Sequence, residues 1–140
     1  YKFAQARLVI GGKTIPKSSD YSDGYIGSIP GIIEETLEAL RNRQPVYIAG
    51  GFGGAAAVLA HSIGLADKIP VPKQTLDAVL HNDMCRDAID EIRESYRRDV
   101  LCLEEEDVKK LATTQRPSEV GGLVVKGLVG HKRTCTNLSD

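Results

Sequence analysis

Two short apolar runs each stop in glycine, and this constrains the fold more than any other feature of the chain. The first is Ala6-Arg7-Leu8-Val9-Ile10, closed by Gly11-Gly12. The second is Pro45-Val46-Tyr47-Ile48-Ala49, closed by Gly50-Gly51-Phe52-Gly53-Gly54. Nine of the 14 glycines lie between Gly11 and Gly54. Glycine clusters where the backbone must turn through positive φ or come close to a ligand or to another backbone. The two apolar runs predict strands, the first of them buried.

Between the strands, residues 13–25 are polar and contain Pro16 and Gly24, a loop of the length usually kept for function. Residues 28–43 read as a helix. Pro30 falls in its first turn, where a missing N–H costs nothing. Glu34, Glu35 and Glu38 come early and Arg41 and Arg43 late, which suits the helix dipole. Ile33, Leu37 and Leu40 give it one apolar face. After the second glycine cluster, residues 55–62 read as a helix of small residues. Residues 76–96 follow as a helix that His81-Asn82-Asp83 would split. Residues 100–103 fit a third strand or a short apolar turn. Ser118 is expected to cap a last helix through Gly130, with Val120, Leu123, Val124 and Leu128 inward. Residues 131–140 read as a polar tail.

Strand and helix in alternation predict an α/β fold: a Rossmann-like parallel sheet with flanking helices, in a single domain. The length of 140 residues fits one domain. With 41% hydrophobic but only 5% aromatic residues, the core must be aliphatic. A net charge of -1 provides no general attraction for nucleic acid or anionic membrane, so neither is an expected partner. No apolar run approaches the roughly 18 residues of a membrane span, and no signal peptide is present. The cysteines Cys85, Cys102 and Cys135 have no metal-ligand or disulfide spacing. The expectation is a cytoplasmic protein with no metal and no required cofactor. Cys85 and Cys102 are expected to pack as small apolar residues.

In parallel sheets, ligands sit beyond the carboxyl ends of the strands. If the two strands are neighbours, both glycine clusters face one crevice. The second cluster leads into a helix N-terminus, whose amides and dipole favour an anion. The expected ligand set is therefore Gly11, Gly12, Lys13, Gly50, Gly51, Phe52, Gly53 and Gly54. Lys13 would add charge. Tyr25 could stack on a base. Glu35 could hold ribose hydroxyls, since Glu34 points about 100° away around the helix. The plain alternative is that the glycines serve only the turn and the packing of helix on sheet. Residues 51–56 also fit G-x-G-x-x-G/A. The acidic residue that should follow a further strand is missing, because no strand precedes Asp67, and a dehydrogenase is discounted. His61 reads as a core-edge residue. Arg86, Arg93, Arg97 and Arg98 alternate with Asp87, Asp90, Glu91 and Glu94 as an ion-paired exposed face.

Two stretches together resemble a known family: Gly24-Tyr25-Ile26-Gly27-Ser28-Ile29-Pro30-Gly31-Ile32-Ile33-Glu34-Glu35, and residues 45–56 quoted in part above. Their order resembles the SLOG superfamily, named from the SMF/DprA and LOG proteins. The closest likeness is to the branch found beside TIR and SIR2 effectors in anti-phage systems and in the TRPM channel cytoplasmic region. Residues 6–13 resemble that branch's strand and turn, and residues 111–128 its final helix. The resemblance implies a module that senses an NAD- or ADP-ribose-derived nucleotide, such as a cyclic ADP-ribose isomer. It also implies a TIR, SIR2 or other effector, in the same or a partner chain, and a homo-oligomer. LOG-type enzymes of the superfamily hydrolyse nucleoside monophosphates and carry Pro-Gly-Gly-x-Gly-Thr-x-x-Glu. Here Ala49, Gly54 and Ala57 stand at the proline, threonine and glutamate positions. An alanine cannot relay a proton or stabilise a ribosyl cation, so binding without turnover is favoured. A hydrolase and a non-binding assembly domain are the alternatives. Relatives begin with a further strand and glycine turn, so the sequence reads as a fragment or shortened form.

Overall fold

The computed structural model of the chain describes residues 6–15, 27–68 and 70–139. Strand β1 (Arg7–Ile10) and strand β2 (Val46–Ala49) pair in parallel, with Arg7 opposite Val46 and Ile10 opposite Ala49. Helix α1 (Gly31–Arg41) links them, and helix α2 (Gly54–Ser62) follows the second glycine cluster. Helices α3 (Lys73–His81), α4 (Asp83–Ser95), α5 (Glu105–Thr113) and α6 (Pro117–Ser139) complete the described chain. This is the mixed α/β, Rossmann-like arrangement that the sequence predicts.

The core forms around β2 and α2. All four residues of β2 are buried, as a strand covered on both faces must be. Residues Ala55, Ala56, Ala57, Val58, Leu59 and Ala60 are buried without interruption. A helix that is apolar all round belongs inside. Its alanines let it lie close to both strands and to α1 and α4, which it touches. Ile33 and Leu37 of α1, Ile89 and Ile92 of α4, Leu111 of α5 and Val120 of α6 complete the core. Among the described residues no helix is long and apolar enough to cross a membrane.

Several expectations change. β1 is only partly buried: Val9 faces the core, while Leu8 and Ile10 are each 41% exposed on the other face. α1 starts three residues later than expected, with Pro30 at its N-cap and the Pro30 carbonyl accepting from the Glu34 amide. It also ends earlier, at Arg41. The Gln44 amide donates to the Ala39 carbonyl and the Arg43 amide to Leu40, each at 3.0 Å. These two bonds form a Schellman closure with Arg43 at the left-handed position, φ 59°. The predicted break near His81 is real. Asn82 is extended, and its side chain accepts from the Cys85 amide at 3.1 Å as the cap of α4.

Of the two expectations for residues 100–103 the turn holds: residues 99–101 form a 3-10 turn, and Cys102 after it is left-handed, φ 55°. The last helix begins at Pro117, places Ser118 inside its first turn, and runs past Gly130 to Ser139. Val120 faces inward, but Leu128 is 37% exposed. Cys85 is buried and Cys102 partly so. The expected ion-paired exposed face is present, mostly with other partners: Arg86 pairs with Asp83 one turn away in α4, and other pairs reach outside the helix. Arg41 reaches Glu91 at 2.8 Å, Arg97 reaches Asp99 and Arg98 reaches Glu105. Only Arg93–Asp90 joins two residues of the predicted set.

Candidate functional site

The two glycine clusters do not face each other across a crevice. They touch. The Ala55 amide donates to the Gly12 carbonyl at 3.1 Å, and the Ala56 amide to the Gly11 carbonyl at 2.8 Å. Two of the orphan amides that open α2 are thereby satisfied by the turn after β1. The contact requires Gly54. Its φ is +70°, and a Cβ there would collide with the Gly12 carbonyl oxygen. Gly51 has a different reason. A Cβ on it would collide with the Thr114 carbonyl, because the end of α5 lies on the turn. The Gly50 amide completes that joint by donating to the Ala112 carbonyl at 3.0 Å. Gly53 donates to Gly50 at 3.2 Å and closes the loop on itself.

The amides of Gly51, Phe52 and Gly54 make no hydrogen bond among the described residues. They lie at the carboxyl end of β2, and of two clefts only one is lined by a residue of this turn. One cleft, of about 420 Å³, is walled by Gly51, Asp67, Lys68, Pro70, Thr113 and Gln115. The other, of about 390 Å³, lies past β1 and includes Thr14, Ile15, Gln74, Thr75 and Cys85 in its wall. Phe52 is 39% exposed, an apolar ring beside unpaired amides. Lys13 is exposed and forms no ion pair among the described residues. Glu35 lies one turn beyond Ile32, the side chain that packs on Gly12. Its carboxylate accepts from the Arg7 guanidinium at 3.2 Å, so any ribose contact would compete with that pair. Tyr25 lies outside the described residues.

The sequence reading missed Lys68, Thr113 and Gln115. No local signal marks them, since only tertiary packing brings the end of α5 to the β2 turn. His61 stands at the core edge, with its Nδ1 3.3 Å from the Ala66 carbonyl. Among the described residues no three His, Cys, Asp or Glu side chains gather where they could hold a metal ion.

A family model described as SLOG cluster2 matches residues 2–122. The chain belongs to the SLOG superfamily. No curated protein and no solved structure matches it. Ala57 is the residue that the motif resemblance sets against the glutamate of LOG-type hydrolases. Its side chain is fully buried, and its Cα lies 3.4 Å from where a Gly50 Cβ would stand. The position is in the core and lines neither of the two clefts. A carboxylate there would have to be buried without a partner, at a cost of several kcal/mol.

Proposed function

We propose that this SLOG domain binds an NAD- or ADP-ribose-derived nucleotide, such as a cyclic ADP-ribose isomer, and passes occupancy to an effector without consuming the ligand. The observation that carries this reading is that the Gly51, Phe52 and Gly54 amides have no hydrogen-bond partner among the described residues, at a turn whose Gly51 lines a cleft. Backbone amides without Cβ atoms around them suit phosphate oxygens. Lys13 and Lys68 supply positive charge to neutralise a diphosphate. The Phe52 ring offers a stacking face for a base, and Tyr25 is a second candidate for that role. Gly11, Gly12 and Gly53 shape the turn. Glu35 serves the ribose only if it leaves Arg7.

A route to an effector is available in the same contacts. The Gly50 amide and the Gly51 main chain hold the end of α5, and α6 begins at Pro117, just beyond it. A ligand on Gly51 bears on that joint. On α6, Val125 is 58% exposed and Val129 44%, an apolar surface for a TIR, SIR2 or other effector domain, or for a second copy. Anti-phage defence is the setting that the likeness to the TIR- and SIR2-associated branch suggests.

The test is calorimetry on the intact protein with ADP-ribose, its cyclic isomers and NAD. The expected result is saturable binding of at least one, with no free base released. Absence of binding to all of them contradicts the proposal. Release of base from NAD or AMP favours the hydrolase instead.

A further inference from the structure

At the opposite end of β2 lies a cavity that the nucleotide reading does not use. It measures about 330 Å³, within the range of small-molecule sites. Its polar wall is Arg43, Gln44, Ser95 and Arg97, and its apolar wall includes Leu40 and Val46. Two arginines line it, and no acidic residue does.

The two arginines are differently placed. Arg97 is held by Asp99, with Nε at 3.3 Å from one oxygen and Nη2 at 2.6 Å from the other. That grip fixes the planar group and leaves Nη1 out of the pair. Arg43 has no carboxylate partner among the described residues. Nor does it serve the carbonyls that end α1. The Glu38, Ala39 and Leu40 carbonyls already accept from the Asn42, Gln44 and Arg43 amides. Arg43 also stands where a Schellman closure ordinarily places glycine, at φ 59°. A strained non-glycine residue is held against its own backbone preference, and that residue lines the cavity.

We propose that this cavity is a second ligand site, independent of the glycine turn, for a small organic anion: a carboxylate or phosphate group on a compact apolar body. The anion bridges the Arg43 guanidinium and Arg97 Nη1, since guanidinium groups clamp such groups through paired N–H donors. The Ser95 hydroxyl offers a further hydrogen bond. Leu40 and Val46 take the apolar body.

The experiment is a titration of the ¹⁵N-labelled intact protein with benzoate and with phenyl phosphate. Benzamide serves as the neutral isostere. Saturable shifts of the Gln44, Ser95 and Val100 amides are expected with at least one anion and not with benzamide. The anion that binds more tightly identifies the head group. Arg43→Gly removes one guanidinium and relieves the backbone, so its Tm should rise by roughly 3–5 °C while binding weakens at least tenfold. Arg97→Gln should weaken binding as well. Titration of Arg43→Gly with ADP-ribose should match the wild type, which separates this site from the glycine turn. No saturable shift with either anion, equal binding of benzamide, or undiminished binding in Arg43→Gly overturns the proposal.

Discussion

At the carboxyl end of the β1–β2 pair, main chain meets main chain. Gly54 lies against Gly12, Gly51 against Thr114, and the Ala55 and Ala56 amides are bonded to the glycine carbonyls after β1. At the amino end, a strand length away, side chains close the structure. The Tyr96 hydroxyl donates to the Val46 carbonyl at 3.0 Å, and Arg7 bridges to Glu35. Arg43 stands at a position normally given to glycine. At the first end a Cβ on Gly12, Gly50, Gly51 or Gly54 would collide with its neighbours. The second tolerates exchange of side chains. Among the described residues, amides without partners are a by-product of the first design, and guanidinium donors without partners of the second. Each therefore invites an anion by different chemistry.

Four substitutions test that contrast, in descending order of effect. Gly54→Ala puts a Cβ into the Gly12 carbonyl at a positive φ, and should cost about 3 kcal/mol or more. Urea denaturation followed by circular dichroism should show a large fall in midpoint or loss of a cooperative transition. A midpoint near that of the wild type would show that the two glycine turns do not depend on this contact.

At the amino end, Tyr96→Phe removes one hydrogen bond and should cost about 1 kcal/mol at neutral pH. Burial raises the Tyr96 hydroxyl pKa well above its ordinary value. The neutral form is thus favoured in the fold. Its contribution is fully present below the unfolded value of about 10 and is lost as pH climbs toward the folded one. Tyr47, whose hydroxyl donates to the Leu101 carbonyl, is also raised by burial. Wild-type stability should fall above about pH 10, and Tyr96→Phe should fall less steeply. Identical alkaline slopes would contradict the assignment.

Arg43→Gly goes the other way, stabilising by roughly 1 kcal/mol because it removes the left-handed strain. A destabilised Arg43→Gly would mean that the side chain holds the fold and not a ligand. The smallest effect belongs to Glu35→Gln. The Arg7–Glu35 pair is exposed, so stability should change by less than about 0.5 kcal/mol. Thermal melts of the pair of variants distinguish the two cases.

The same contrast explains what the sequence made legible. Both strands, the small-residue helix after the second turn and the break at Asn82 carry local signals: apolar runs, glycine ends and a capping amide. The glycine turns were legible as turns at strand ends. That they bond to each other was not, because a glycine that frees an amide and one that makes room for a carbonyl look alike in sequence. Arg43 was unreadable for the opposite reason. A helix end is announced by glycine, and an arginine in that place reads as one more helical residue with a favourable charge. The apolar run at residues 100–103 fits a turn as well as a strand, and no residue type there announces the left-handed Cys102. Gln115 reaches the candidate site only because the end of α5 packs on the β2 turn, and Lys68 because the loop after α2 borders the same cleft. Leu8 and Ile10 show a further limit: an apolar run predicts a strand but not which of its faces is covered.

The most direct measurement is an amide-resolved NMR titration of the intact protein with ADP-ribose, repeated with a cyclic isomer. The account predicts that the Gly51, Phe52 and Gly54 amides shift most, in a saturable way. The Ala55 and Ala56 amides, already bonded to Gly12 and Gly11, should shift less. Saturable binding that leaves those three amides unmoved, or no binding of either nucleotide, would contradict it.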